Sequence, residues 1–132
     1  MSILAHGIDL VEIQRITDMM QRHGDRFLSR CFTAAEQAYA MESAKRRDER
    51  LAARFAAKEA GLKAIGTGWR DGIAWTDVEV TRLPSGQPQL KLHNRAREVA
   101  ESLGVTRLLV SLSHTDDHAI ASVIAIGREA SS

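Results

Sequence analysis

A chain of 132 residues, 44% hydrophobic and 27% charged, has the size and balance of one globular domain and not those of a disordered segment. Its 18 Lys and Arg stand against 17 Asp and Glu, a net charge of +1 with histidine neutral, so bulk charge gives no argument for nucleic acid or for an anionic membrane. The single cysteine, Cys31, excludes a disulfide scaffold. No stretch approaches the roughly 18 uninterrupted apolar residues of a membrane span. The amino terminus, MSILAHGIDLVEI, lacks the basic, apolar and cleavage regions of a signal peptide. The expectation is a soluble cytoplasmic protein with no membrane or nucleic-acid partner.

In chain order, residues 3–9 are short and apolar and predict a first strand. From Leu10 the spacing changes. Leu10, Ile13, Ile16, Met19 and Met20 recur at three- and four-residue steps, the mark of an amphipathic helix that ends at His23-Gly24-Asp25. Thr33-Ala-Ala-Glu36 is a capping box, which predicts a helix from Ala34. A longer helix is expected from about Asp48 to Ile65, stopped by Gly66-Thr67-Gly68. The period then becomes two at Ile73, Trp75, Val78 and Val80. Pro84-Ser-Gly86-Gln-Pro88 is turn chemistry, with a hairpin partner in Gln89–Leu92. Asn94–Leu103 reads as a helix, and Leu108–Leu112 and Ala119–Ile126 as two strands. The sum is a single α+β domain over residues 1–132, with helices mainly in the first half, a mostly antiparallel sheet and a frayed tail from about residue 128.

Two acids interrupt apolar patterns. Asp9 lies within Ile8-Asp9-Leu10-Val11, and Glu59 lies on the stripe Leu51, Phe55, Glu59, Leu62 of the long helix. Each has a plain reading: Asp9 as a helix N-cap, Glu59 as the partner of Lys63 one turn on. Together they allow another, because two carboxylates plus substrate phosphates are the usual protein contribution to a Mg²⁺ site. Arg54, Lys58 and Lys63 on the same helix supply cations of the kind that phosphoryl chemistry uses; the plain reading is a solvated basic edge. Gly66-Thr67-Gly68 either stops the helix or lets a backbone approach a phosphate; it is not a P-loop. His114 and His118 flank a turn without the ligand spacing of a zinc site, and His114 fits a phosphate-contacting role or that of a turn histidine. Arg15, Arg22 and Arg26 can lie near one another around the end of the first helix, beside Met19, a basic face with an apolar centre that suits an acidic protein partner; the plain reading is an ordinary solvated face, since Asp18 and Asp25 dilute the charge.

Four segments resemble a known family: Gly7-Ile8-Asp9-Leu10-Val11-Glu12-Ile13, Phe32-Thr33-Ala34-Ala35-Glu36, Arg54-Phe55-Ala56-Ala57-Lys58-Glu59-Ala60 and Leu112-Ser113-His114-Thr115. In order, spacing and overall length they resemble the holo-acyl-carrier-protein synthases, the short bacterial type of 4′-phosphopantetheinyl transferase. The resemblance implies that fold and a Mg²⁺-dependent transfer of 4′-phosphopantetheine from coenzyme A to a serine of apo acyl carrier protein, in support of fatty acid biosynthesis. It implies Asp9 and Glu59 as metal ligands, and Glu59 and Lys63 as catalytic residues. Coenzyme A would meet Arg54, Lys58, Lys63, Gly66 and His114, and the carrier protein Arg15, Met19, Arg22 and Arg26. It also implies a homotrimer with the active site between subunits. Two other classes stay open on the residues alone: an acidic-protein-binding module without catalysis, and a Mg²⁺-dependent nucleotide hydrolase.

Overall fold

The computed structural model describes residues 1–66 and 72–128. Five strands and five helices follow one another as β1 (Ser2–Glu12), α1 (Ile13–His23), α2 (Asp25–Cys31), α3 (Ala34–Met41), α4 (Arg47–Ala64), β2 (Val78–Arg82), β3 (Pro88–Leu92), α5 (Asn94–Ser102), β4 (Val105–His114) and β5 (His118–Gly127); a 3₁₀ turn at Trp75–Asp77 leads into β2. β1, β5 and β4 form an antiparallel sheet in that order, and β2 pairs with β3 in a separate antiparallel hairpin. This is the expected α+β class. The tail from residue 129, together with Thr67 and Gly68, lies outside the described residues.

Helix α4 is the axis of the domain. The long sheet packs on one side of it, and α1, α3 and β2 pack around the rest. Small residues make this possible: Ala52, Ala53, Ala56, Ala57, Ala60 and Gly61 are buried along α4, and Ala119, Ala121, Val123 and Ala125 on β5 meet it. Short side chains on both surfaces let a helix and a sheet approach closely and keep the interior dense. A second core joins Leu62, Ile65, Ile73 and Val78 to Ala96, Val99 and Ala100 of α5. The capping box of α3 is present: Glu36 N donates to Thr33 Oγ1 at 3.2 Å, and Thr33 N donates to Glu36 Oε1 at 2.8 Å.

Three expectations change. The first strand does not end at residue 9 but runs to Glu12, because Asp9 to Glu12 pair in register with Ala121 to His118 of β5. Asp9 is therefore a strand residue, and the N-cap position belongs to Glu12. Leu10 points away from α4 and is 61% exposed. Helix α2 was not predicted; its seven residues bury Phe27, Leu28 and Cys31. And α4 has no solvated basic edge at Arg54 and Lys58, since both are buried.

The tightest contact lies between β1 and α4 at Gly7. A Cβ placed there would stand 2.0 Å from Ala60 O, 2.9 Å from Ala64 N and 3.0 Å from Lys63 Cβ. Only glycine lets the strand lie this close to the helix backbone. Gly7→Ala must push β1 off α4, and we expect a loss of about 1–3 kcal/mol in denaturant unfolding, the usual cost of overpacking. Activity should fall as well, since Asp9 moves with the strand.

Candidate active site

Three side chains converge where β1 crosses the C-terminal half of α4. Asp9, two residues beyond Gly7, faces the helix. Lys63 turns towards the strand, its Nζ donating to Ile8 O at 2.9 Å and to Asp9 Oδ1 at 3.3 Å. Glu59 sits one turn before Lys63 on the same side of α4. The other Asp9 oxygen, Oδ2, is buried and has no hydrogen-bond partner among the described residues. Burial, and next the neighbouring charge of Asp9, hold the Glu59 carboxyl above the usual carboxylate range; Arg15 and Lys63 oppose that shift. Two adjoining carboxylates with one orphaned buried oxygen form a donor set that calls for a cation, and hard oxygen donors suit Mg²⁺.

Arg54 and Glu59 are five residues apart, about 140° around the helix, so they face different sides of α4. Arg54, 5% exposed, stacks its guanidinium 4.0 Å from the Tyr39 ring centroid. Arg50 and Arg82 reach the same ring at 4.2 and 4.5 Å. Two adjoining cavities open here. One of about 420 Å³ is lined by Arg82, Gln87 and Pro88, and one of about 210 Å³ by Arg50, Glu49 and His114; Tyr39, Arg54 and Leu112 border both. His114 Nε2 lies 3.3 Å from Glu49 Oε1. Arg54 Nε is buried without a hydrogen-bond partner among the described residues, and burial is the main force lowering the Arg54 pKa. Several guanidiniums around one ring, one of them not fully satisfied, suit an anion. The structure thus brings Arg54 and His114 together as expected. Tyr39, Arg50 and Arg82 were missed: Tyr39 on α3 and Arg82 on β2 come from other elements, whereas Arg50, one turn before Arg54 on α4, was legible in the helical spacing.

Lys58 does not join them. Its ammonium, fully buried, lies 2.7 Å from Glu36 Oε1 and donates to Val78 O at 2.6 Å and Trp75 O at 3.1 Å. Burial pulls its pKa down, while the charge and hydrogen bond of Glu36 pull the other way. An ammonium has three donors, and all three are used inside the core, so none is left for a phosphate. The expected nucleotide contact is replaced by an internal one. The sequence held the signal: Leu51, Phe55, Lys58 and Leu62 follow steps of four, three and four, which put Lys58 on a buried stripe. Gly66 is also a structural stop. Its φ is 77° and its N–H donates to Lys63 O at 3.1 Å, closing the end of α4.

On the α1 side of Glu59 lies a mostly apolar groove of about 500 Å³, lined among others by Arg15, Met19, Arg26, Phe27, Phe55 and Trp75. Phe55 and Trp75 stack at 4.6 Å with ring planes 24° apart, and the Arg15 guanidinium sits 5.5 Å from the Phe55 centroid. Met19, Arg15 and Arg26 therefore do share a surface. Arg22 stays exposed on α1 outside the groove lining, and Arg30, not anticipated, borders it. Phe55, on the groove wall, is one helical turn before Glu59. Cys31 borders it too, but burial pushes its thiol up to about 11, so it acts as a small apolar wall residue.

Known proteins are similar to this chain in sequence and in fold. The ACPS model of the 4′-phosphopantetheinyl transferase superfamily matches residues 5–123. A holo-[acyl-carrier-protein] synthase of Koribacter versatilis is 53% identical over 92% of this chain and 97% of its own. Among solved structures, the holo-[acyl-carrier-protein] synthase of Neisseria meningitidis superposes with a TM-score of 0.86 at 30% identity, covering 95% of this chain and 99% of that one. The Bacillus anthracis holo-(acyl-carrier-protein) synthase in complex with CoA (3′,5′-ADP) superposes with a TM-score of 0.75 at 33% identity, covering 93% and 96%. With the fold, the spacing of its motifs and near full-length similarity in agreement, this chain belongs to the 4′-phosphopantetheinyl transferase superfamily, among the holo-[acyl-carrier-protein] synthases.

Proposed function

We propose that this protein transfers 4′-phosphopantetheine from coenzyme A to a serine hydroxyl of apo acyl carrier protein, releasing adenosine 3′,5′-bisphosphate, and that it works in the cytoplasm to supply fatty acid biosynthesis. The observation that carries this reading is the Asp9–Glu59–Lys63 cluster, with Glu59 one turn of α4 beyond Phe55 of an apolar, arginine-rimmed groove. A carboxylate pair beside a lysine suits a pyrophosphate, and the groove suits a second protein.

In the reaction the serine oxygen bonds to the phosphorus that carries pantetheine, the bond from that phosphorus to the nucleotide phosphate breaks, and the serine proton is lost. Asp9 and Glu59 would hold Mg²⁺, which supplies neutralising charge to the pyrophosphate. Lys63, anchored to Ile8 O and Asp9, places a further positive charge beside the leaving phosphate. The rest of the work is positioning two substrates on one surface. Arg15, Arg26 and Arg30 attract an acidic carrier, and the Phe27–Phe55–Trp75 walls accept an apolar side chain from it.

The same reading assembles the protein as a homotrimer. The Tyr39–Arg54–His114 cavities and the Asp9–Glu59 pair lie on different sides of α4, so a neighbouring copy is the natural source of the second half of a coenzyme A site. The outer face of the long sheet supports assembly. Ile8, Leu10 and Leu109 are exposed there at 51%, 61% and 39%, and Ile120 and Ile124, the register partners of Leu10 and Leu109, lie on the same face. An apolar surface of this kind favours a partner over water.

Incubation with coenzyme A and apo carrier protein, read by intact mass, should add one phosphopantetheine to the carrier; an unmodified carrier with hydrolysed coenzyme A would instead indicate a hydrolase. Asp9→Asn and Glu59→Gln should each remove most of this transfer. Because burial and Asp9 raise the Glu59 pKa, ionised Glu59 destabilises the metal-free fold above that pKa, and the strain is relieved as pH falls through it. Glu59→Gln should therefore raise the metal-free melting temperature at neutral pH, with the gain vanishing in acid.

Arg26→Ala with Arg30→Ala should raise the carrier KM and flatten its salt dependence while kcat and the coenzyme A KM hold, since rim charges act on encounter. Light scattering at assay concentration should give a trimer, and a fully active monomer would refute the shared site.

A further inference from the structure

We infer that Lys58, although sealed in the core, is a positioning residue for carrier-protein binding: it clamps the Trp75 turn that forms one wall of the docking groove. The inference rests on the reading of that groove as the carrier-protein surface.

Phe55 and Lys58 are three residues apart on α4 and share a face. Phe55 carries the stacked Trp75 ring at 4.6 Å. Lys58 reaches beneath the same turn and donates to the carbonyls of Trp75 and Val78, the first residue of the 3₁₀ turn and the residue that follows it. One ammonium thus fixes both ends of the turn. Its own place is fixed by Glu36, whose Oε1 also accepts from Thr33 N at 2.8 Å and whose Oε2 accepts from Val80 N at 2.9 Å. From the other side, Asp77 accepts from Ala74 N at 3.0 Å and from Asn94 Nδ2 at 3.1 Å. The turn is held by directional bonds on two sides, with a buried ion pair at its centre.

The chemistry explains why a lysine is used. The buried carbonyl of Val78 and the partly buried carbonyl of Trp75 need donors, and a neutral apolar side chain gives none. A lysine spans the gap with a long stem and ends in three donors, provided that a carboxylate balances its charge. The neighbouring residue on α4 is Glu59, so one helix fixes the carboxylate centre and the groove wall relative to each other.

The test measures kcat, carrier KM and coenzyme A KM for the full chain, for Trp75→Ala, for Lys58→Met with Glu36→Gln, and for all three changes together. Both members of the ion pair are replaced so that no unpaired charge is buried. Expected is a rise of about tenfold in carrier KM for the Lys58–Glu36 double variant, with coenzyme A KM within about twofold. In the Trp75→Ala background the same pair of changes should add nothing, because residues acting through one another are not additive. Leu108→Ala, a truncation on β4 that packs against the main core and lies outside the groove lining, should lower the melting temperature and leave carrier KM unchanged. Lys58→Gln with Glu36→Gln keeps a donor at position 58, leaves no buried charge unpaired, and should give a smaller rise; it serves if the methionine variant does not fold. An unchanged carrier KM in a folded Lys58 variant, effects that multiply with Trp75→Ala, an equal rise in coenzyme A KM, or an equal effect of Leu108→Ala would overturn the inference. If Trp75→Ala alone leaves carrier KM unchanged, the docking assignment of the groove fails first, and the inference with it.

Discussion

The approach of β1 to α4 at Gly7 is the contact on which the site depends. With no side chain between strand and helix, the backbone of β1 lies against Ala60 and Ala64. Asp9 is then carried to the level of Glu59 and Lys63, and Lys63 can bond to the strand at Ile8 O and Asp9. Both carboxylates are thus set by regular secondary structure and not by loops, which favours a constellation held to a small tolerance. It also concentrates two negative charges in a partly buried place, the condition that raises the Glu59 pKa.

The second organising feature is the burial of α4 on most of its circumference. A helix surrounded by other elements has no free face on which to display cations, so each of its charged residues must reach an edge or find a partner inside. Lys63 reaches an edge, Lys58 finds Glu36, and Arg54 stacks on Tyr39. The helix connects three distinct regions: the carboxylate pair, the arginine-rich cavities and the apolar groove. Substrates that differ as much as a nucleotide and a protein can then be organised by one rigid element.

The division of labour between these regions follows from their chemistry. The cavities around Tyr39 are rich in guanidinium and suit phosphate. The groove between α1, α2 and the Trp75 turn is aromatic, with arginines at its rim, and suits an apolar side chain on an acidic surface. The exposed apolar face of the long sheet suits another copy of the chain.

Residue patterns alone give the α+β class, the start of α3 and the bounds of α4, β3, α5 and β5 to within about one residue, the capping box at Thr33 and Glu36, and the two acids Asp9 and Glu59, because periodicity, caps and misplaced charges are local properties. The sequence also carried the family resemblance, since those motifs are contiguous. The extension of β1 to Glu12 needed the partner strand β5, whose pairing outweighs the helical spacing of Leu10 and Ile13. The separation of Arg54 from Glu59, the gathering of Tyr39, Arg50 and Arg82, and the stacking of Trp75 on Phe55 all join residues from elements that meet only in the folded chain. Lys58 shows the difference most clearly. Its neighbours in sequence make it a candidate phosphate ligand, but only tertiary packing decides whether an ammonium faces water or a buried carboxylate, and here the elements around α4 leave it Glu36.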